Sequence, residues 1–293
     1  MREPVLSGGE PPATLPAPAP GSGSGSGPGS THTSAPVPDR PPAPVPDRPR
    51  VRTPRSGPAF YALGHGRVGD LLTLLHPPYT AWHLSYFAIG AALAPRLYAD
   101  RLLWGLAAFA LAVGVGAHAL DELHDRPLQT GLSRRTLLAA AWSSTLAALA
   151  IGVAGVIVVS PALAPFVLAG ALFVPAYNLE LWGGRLHSDL WFAIGWGAFP
   201  ALTGYYANAE RIAAPGVLIA AGCLLMSVAQ RRLSAPAREL RRRTRSLSGV
   251  RVRSDGASEE LSLGGILAPL DGALAALSLA MVTIACALVA ARL

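Results

Sequence analysis

Lysine is absent from this 293-residue chain, so all 24 basic side chains are arginine and the formal net charge of +7 is an arginine charge. Charge of either sign is scarce. Charged residues make up 14% of the chain, against about a quarter in a water-soluble domain, which argues against an ordinary soluble fold. Only two cysteines occur, Cys223 and Cys286. Both fall inside apolar runs, where they read as small core residues and give no support to a disulfide framework or a zinc site. The N-terminal segment has no apolar signal-peptide core, so it is expected to be retained. A pI near 10.1 would suit a nucleic-acid binder. The arginines, however, sit between apolar runs, where membrane topology accounts for them, and no nucleic-acid partner is expected.

What the chain has in excess is apolar side chain, 51% of residues, with a mean hydropathy of +0.39 despite a polar N-terminal dilution. Residues 1–58 are Pro, Ala, Gly and Ser, with GSGSGSG at 21–27 and APVPDRP at 35–41 and again at 43–49. Such a segment buries too little apolar area to offset its ordering entropy, so a disordered tail is expected there. Residues 59–293 hold repeated runs of Leu, Ala, Val and Ile, long enough to cross about 30 Å of hydrocarbon. Without strand-like alternation, helices satisfy the backbone in lipid better than a barrel. The expected fold is all-α, a polytopic transmembrane helical bundle. Seven spans are expected near 79–95, 102–120, 136–159, 163–181, 189–208, 213–229 and 266–291. A short amphipathic stretch, GRVGDLLTLL at 66–75, should lie along the membrane surface. The arginine bias across the loops, with Arg126, Arg134, Arg135, Arg185 and the run from Arg231 to Arg253 on one side, places the N-terminus in the cytoplasm of a multi-pass cell-membrane protein.

Polar side chains near spans are costly and therefore informative. The second span ends AHALDELHDRPLQTG, which sets His118, Asp121, Glu122 and Asp125 on one helical stripe. Carboxylates one turn apart repel unless a cation joins them, and Mg²⁺ takes one or two carboxylates with substrate phosphates and water. Arg126 follows, placed to hold a phosphate oxygen, and Pro127 and Gly131 stop the helix. Alternatively the stripe is a solvated helix end paired with Arg134 and Arg135. The fourth span ends AYNLELWGGRLHSDLW, gathering Tyr177, Asn178, Glu180, Arg185, His187 and Asp189 on the same side. Asp189 is either a helix N-cap or a ligand, and Arg185 either contacts phosphate or follows the charge bias. His76, Trp82 and His83 in HPPYTAWHLSY are structural or line a pocket, and Tyr205 and Tyr206 suit an interface belt. The basic loop QRRLSAPARELRRRTR attracts anionic headgroups at about 1 kcal/mol per residue. Asp271–Gly272 does not continue into the acidic signature of a CDP-alcohol phosphatidyltransferase, since residues 273–290 carry no charge.

Three segments in order resemble the UbiA superfamily of intramembrane prenyltransferases: LLTLLHPPYTAWHLSYFAIGAALA, HALDELHDRPLQTG and YNLELWGGRLHSDLWFAIGWGAFPALTGYYA. The first looks like that family's entry segment with His76 in place of an arginine, and the second like a shortened first aspartate-rich motif. The third looks like its middle tyrosine-to-glycine segment. The resemblance implies a UbiA-like bundle around a lipid-open cavity that binds a prenyl diphosphate through Mg²⁺. Asp121 and Asp125 would be the catalytic, metal-holding pair with Glu122 beside them. His118, Arg126, Tyr177, Asn178, Arg185 and Asp189 would line the substrate site. The implied reaction moves a prenyl group to a lipid or aromatic acceptor; the alternative is a non-catalytic relative that binds an isoprenoid or lipid. The family's second aspartate-rich motif is replaced here by SVAQRRLSAPAREL, and about nine spans are usual where seven are read.

Overall fold

The structure is a computed structural model that describes residues 59–63 and 66–293; the tail expected over 1–58 lies outside the described residues. The surface stretch forms α1 (Arg67–Leu74) and is followed by α2 (Pro77–Ala92), which starts on two prolines whose fixed φ suits a first turn. A continuous helix then comprises α3 (Ala99–Phe109), a π-helical segment Ala110–Ala117 and α4 (His118–Asp125). Next comes α5 (Arg134–Val158), whose N-cap Ser133 accepts the Thr136 amide, and then α6 (Ala164–Asn178). A second continuous helix joins α7 (Asp189–Ala193), a π segment Ile194–Ala198 and α8 (Phe199–Ala209). The chain closes with α9 (Ala214–Arg242), the hairpin β1 (Val250–Val252) and β2 (Ser258–Glu260), and α10 (Leu263–Ala290).

Five stretches are long and apolar enough to cross a membrane, consistent with a membrane protein: Ala99–Asp125, Arg134–Val158, Pro161–Asn178, Ala214–Arg242 and Leu263–Ala290. All seven expected spans fall on helix. Two of them, α2 and the stretch 189–209, are not among those five. α2 is shorter than any of the five, and ten of its 16 residues are buried. Trp82, Tyr86 and Phe87 at its centre are almost fully enclosed.

α2 packs mainly against α8 and α10. Its contact with α8 is a close backbone approach. A Cβ added at Gly90 would lie 1.9 Å from the Ala201 carbonyl oxygen, and one at Gly204 2.1 Å from that of Phe87. Small residues at a helix interface allow this kind of packing within a membrane. Just past the C-terminal end of α2, the Arg292 guanidinium donates to the Ala94 and Pro95 carbonyls at 2.7 Å each. It ties down the chain as it leaves the helix.

Two regions depart from expectation. The arginine-rich stretch after residue 229 is not a loop, because α9 runs on to Arg242 with Pro236 inside it. The hairpin was not expected either. Val250 pairs with Glu260 and Val252 with Ser258, and Gly256 at φ +83° makes its turn.

Candidate functional site

The last turn of α4, the end of α6 and the second half of α9 border a polar cavity of about 500 Å³. Asp121 and Asp125 both line it, one turn apart on α4. The helix stops directly after them because Arg126 takes a left-handed conformation at φ 51°. That turn is braced internally. Arg126 donates to the carbonyls of Thr130 (3.1 Å) and Leu132 (2.9 Å), and it lies outside the cavity. Glu122 is fully buried and also faces elsewhere. Its two oxygens accept the Leu128 amide (2.9 Å), the Thr130 amide (2.8 Å) and the Thr130 hydroxyl (2.9 Å). The sequence places Arg126 and Glu122 on the ligand; the structure has both holding the turn that ends α4. Arg126 is turned away because the helix ends there, and Glu122, still inside α4, is drawn to the amides of Leu128 and Thr130 that the returning chain brings to it.

The other expected residues divide similarly. His118, Tyr177 and Asn178 line the cavity, Arg185 and Asp189 do not. The N-cap of α7 is Ser188, which accepts the Trp191 amide. Asp189 instead takes a bond from Arg231 Nε at 2.7 Å. Asn178 uses its amide nitrogen on the Val174 carbonyl (2.7 Å). The Tyr177 ring stacks on His187 at 4.5 Å and lies 4.5 Å from Trp196.

A column of rings forms one wall. His76 stacks on His118 with centroids 4.1 Å apart, and the Tyr61 hydroxyl bonds to His76 Nδ1 at 2.7 Å. His118 Nδ1 donates to the Gly114 carbonyl in the π segment, and His83 Nδ1 to that of Trp196 in the other. The two π segments thus offer carbonyls that a regular helix would use internally, a common feature of functional positions. Burial pushes the Tyr61 hydroxyl well above its usual range. Burial, reinforced by His118 and by Arg242 and Arg238, holds His76 neutral well below the ordinary imidazole value.

Opposite Asp121 stands α9. Gln230, Ser234, Arg238 and Arg242 line the cavity at successive spacings of four, the period that brings residues onto one helical face. Asp121 lies within electrostatic reach of both arginines. Reading the sequence as a basic loop missed this set. The signal was present, since polar residues recur every fourth position from 230 to 242. Tyr61 and Tyr79 were missed too, and no local pattern marks them.

A second cavity, about 540 Å³, lies between α3, α5, α6 and α8, with an almost wholly apolar lining that includes Phe109, Val113, Leu149, Phe166 and Phe199. Trp196 lines both cavities.

No family model, curated protein or solved structure matches the chain.

The donor set can be judged against the magnesium expected from the sequence. Asp121 and Asp125 supply two carboxylates, which is what Mg²⁺ takes when substrate phosphates and water complete its shell. No third His, Cys, Asp or Glu converges with them among the described residues. The pair therefore fits an ion shared with a phosphorylated ligand, and not one caged by protein alone.

Proposed function

We propose that this chain is a UbiA-like, membrane-embedded prenyltransferase that moves a prenyl group from a prenyl diphosphate to a lipid or aromatic acceptor. The observation that carries the reading is the meeting of a polar cavity and an apolar one at a single side chain, Trp196. An amphiphile with an anionic head and a long hydrocarbon tail matches that pair of volumes. The head would lie between Asp121 and Asp125 on one wall and the arginines of α9 on the other, at the cytoplasmic face of the cell membrane.

In the proposed reaction the allylic carbon–oxygen bond breaks and its electron pair leaves with the diphosphate. The acceptor then bonds to the cationic carbon and releases a proton to water in the polar cavity. Mg²⁺ held by Asp121 and Asp125 would neutralise charge on the departing diphosphate. Arg238 and Arg242 would stabilise the same charge from the opposite side. The rings of Trp196, Tyr177 and Phe192 border the place where the carbocation would form, and aromatic faces attract cations.

Incubating purified protein with labelled farnesyl to undecaprenyl diphosphates and a membrane lipid extract tests this. The expected result is magnesium-dependent pyrophosphate release with a new labelled lipid, reduced at least about 100-fold in Asp121→Asn, the scale of a lost electrostatic stabiliser. Full activity in both Asp121→Asn and Asp125→Asn would remove the assigned roles. A second reading has a specific observation in its favour, the arginines that stand on α9 where the resembling family carries aspartates. By it the chain binds an isoprenoid or lipid saturably and turns nothing over.

A further inference from the structure

The cavity holds several arginines, and they are not equivalent. Arg231 bonds to Asp189 at 2.7 Å and covers the Phe192 ring. Arg241 bonds to Asp271 on α10. Both charges are matched within the fold. Arg238 is only partly exposed and lines the same cavity, yet it makes no hydrogen bond or ion pair with any described residue. Two turns earlier on the same face, Gln230 is 3% exposed and its Oε1 has no hydrogen-bond partner. Rotated about its last torsion, the same amide would present its NH₂ group there instead.

Unmatched buried polar groups are costly, and native folds carry few of them. Gln230 is one such group, and with the half-buried Arg238 on the same face of α9 it borders the cavity and marks a surface that a ligand completes. The chemistry they ask for is specific. A guanidinium offers a planar fork of N–H donors that suits two phosphate oxygens at once. Ser234 adds a hydroxyl between Gln230 and Arg238, and Arg242 extends the charge by one more turn. A single phosphate group is satisfied by one such fork, whereas a diphosphate has oxygens on two phosphorus atoms for two converging guanidiniums.

We propose that this face of α9 seats the diphosphate directly, guanidinium to phosphate, with no bridging metal ion on that wall. The inference rests on the reading of the cavity as a prenyl-diphosphate site. It assigns head-group binding to Arg238 with Arg242, Ser234 and Gln230. Metal dependence is then confined to the Asp121 side, so ligand binding and turnover respond differently to removal of divalent ions.

The test is equilibrium binding of farnesyl thiolodiphosphate, which resists ionisation, to the purified full chain in detergent, with Mg²⁺ or with EDTA. The expected result is a Kd in EDTA within about tenfold of that in Mg²⁺. Arg238→Gln should weaken binding at least about tenfold in both buffers, as loss of a charge-assisted fork would. Arg232→Gln, exposed and outside the cavity, should leave it unchanged. Inorganic pyrophosphate should compete in EDTA, and phosphatidylglycerol should not. Competition by phosphatidylglycerol with the same dependence on Arg238 would replace the proposal with a lipid-headgroup seat. Binding in Mg²⁺ that vanishes in EDTA would overturn the inference while leaving the diphosphate reading intact. No binding in either buffer would overturn both. The wild-type comparison of the two buffers decides the matter even where Arg238→Gln does not fold.

Discussion

The two cavities are nearly equal in volume, about 500 and 540 Å³, and opposite in character. One is ringed by histidines, carboxylates and guanidiniums; the other is walled by Phe, Leu, Val and glycine. Their construction differs as much as their lining. The apolar cleft lies between helix flanks, with Gly152, Gly155 and Gly170 letting the neighbouring Val167, Leu163 and Phe199 pack close beside it. The polar cavity lies at helix ends, where α4 and α6 stop and α9 does not. Sequence patterns describe helices well and say little about which side chains a cavity brings together. In lipid-facing surroundings an unpaired polar group has no water to turn to, and the Thr145 hydroxyl is such a group in the apolar cleft.

The comparison breaks most readily at the side chain common to both spaces. Trp196 is 5% exposed and stacks on Phe192 with planes 5° apart. Trp196→Ala should cost about 3–5 kcal/mol, the usual range for a buried tryptophan, and merge the two volumes. Thermal unfolding in detergent measures the loss. An unchanged melting temperature would mean that the ring does not separate them. Glu122→Gln comes next. An amide has one acceptor where the carboxylate uses two, and its NH₂ would face an N–H donor. The expected loss is about 2 kcal/mol, with the magnesium dependence of ligand binding unaltered; a shifted magnesium dependence would return Glu122 to the ligand set. The smallest effect belongs to the cleft. The Thr145 hydroxyl lines it, buried without a partner, so Thr145→Val should be neutral or stabilise by up to about 1 kcal/mol. A clear destabilisation would show that the hydroxyl is bonded in the working protein.

Much of the architecture could be read from apolar runs, because each run of Leu, Ala and Val has the length of a helix and little else to become. The π segments could not be read, since Ala110–Ala117 and Ile194–Ala198 are as apolar as their neighbours. Asp121, Asp125 and His118, read as one stripe, line the cavity together with Tyr177 and Asn178 from the end of α6. Glu122 does not, because the amides of Leu128 and Thr130 claim its carboxylate, and Arg126 does not, because it lies past the end of the helix. Arg238 and Gln230 were hidden by charge density. A run of arginines around Pro236 looks like a loop, and only the period of four separates its inner face from its outer one. The hairpin had its own cue, the Asp255–Gly256 pair flanked by Val250 and Val252, a turn sequence that favours paired strands.

The position of α2 bears on how the molecule is made. α2 precedes its two chief neighbours, α8 and α10, by a long stretch of chain, and the Arg292 clasp near its end comes 198 residues after Ala94. Contacts that distant along the chain are slow to form. Until α8 and α10 have been made, Trp82 and Tyr86 have no cover, and at 16 residues α2 is short for crossing a bilayer on its own. A ribosome stalled before α10 would therefore release a product whose central helix has no seat, and quality control in the membrane would meet an intermediate lacking its keystone.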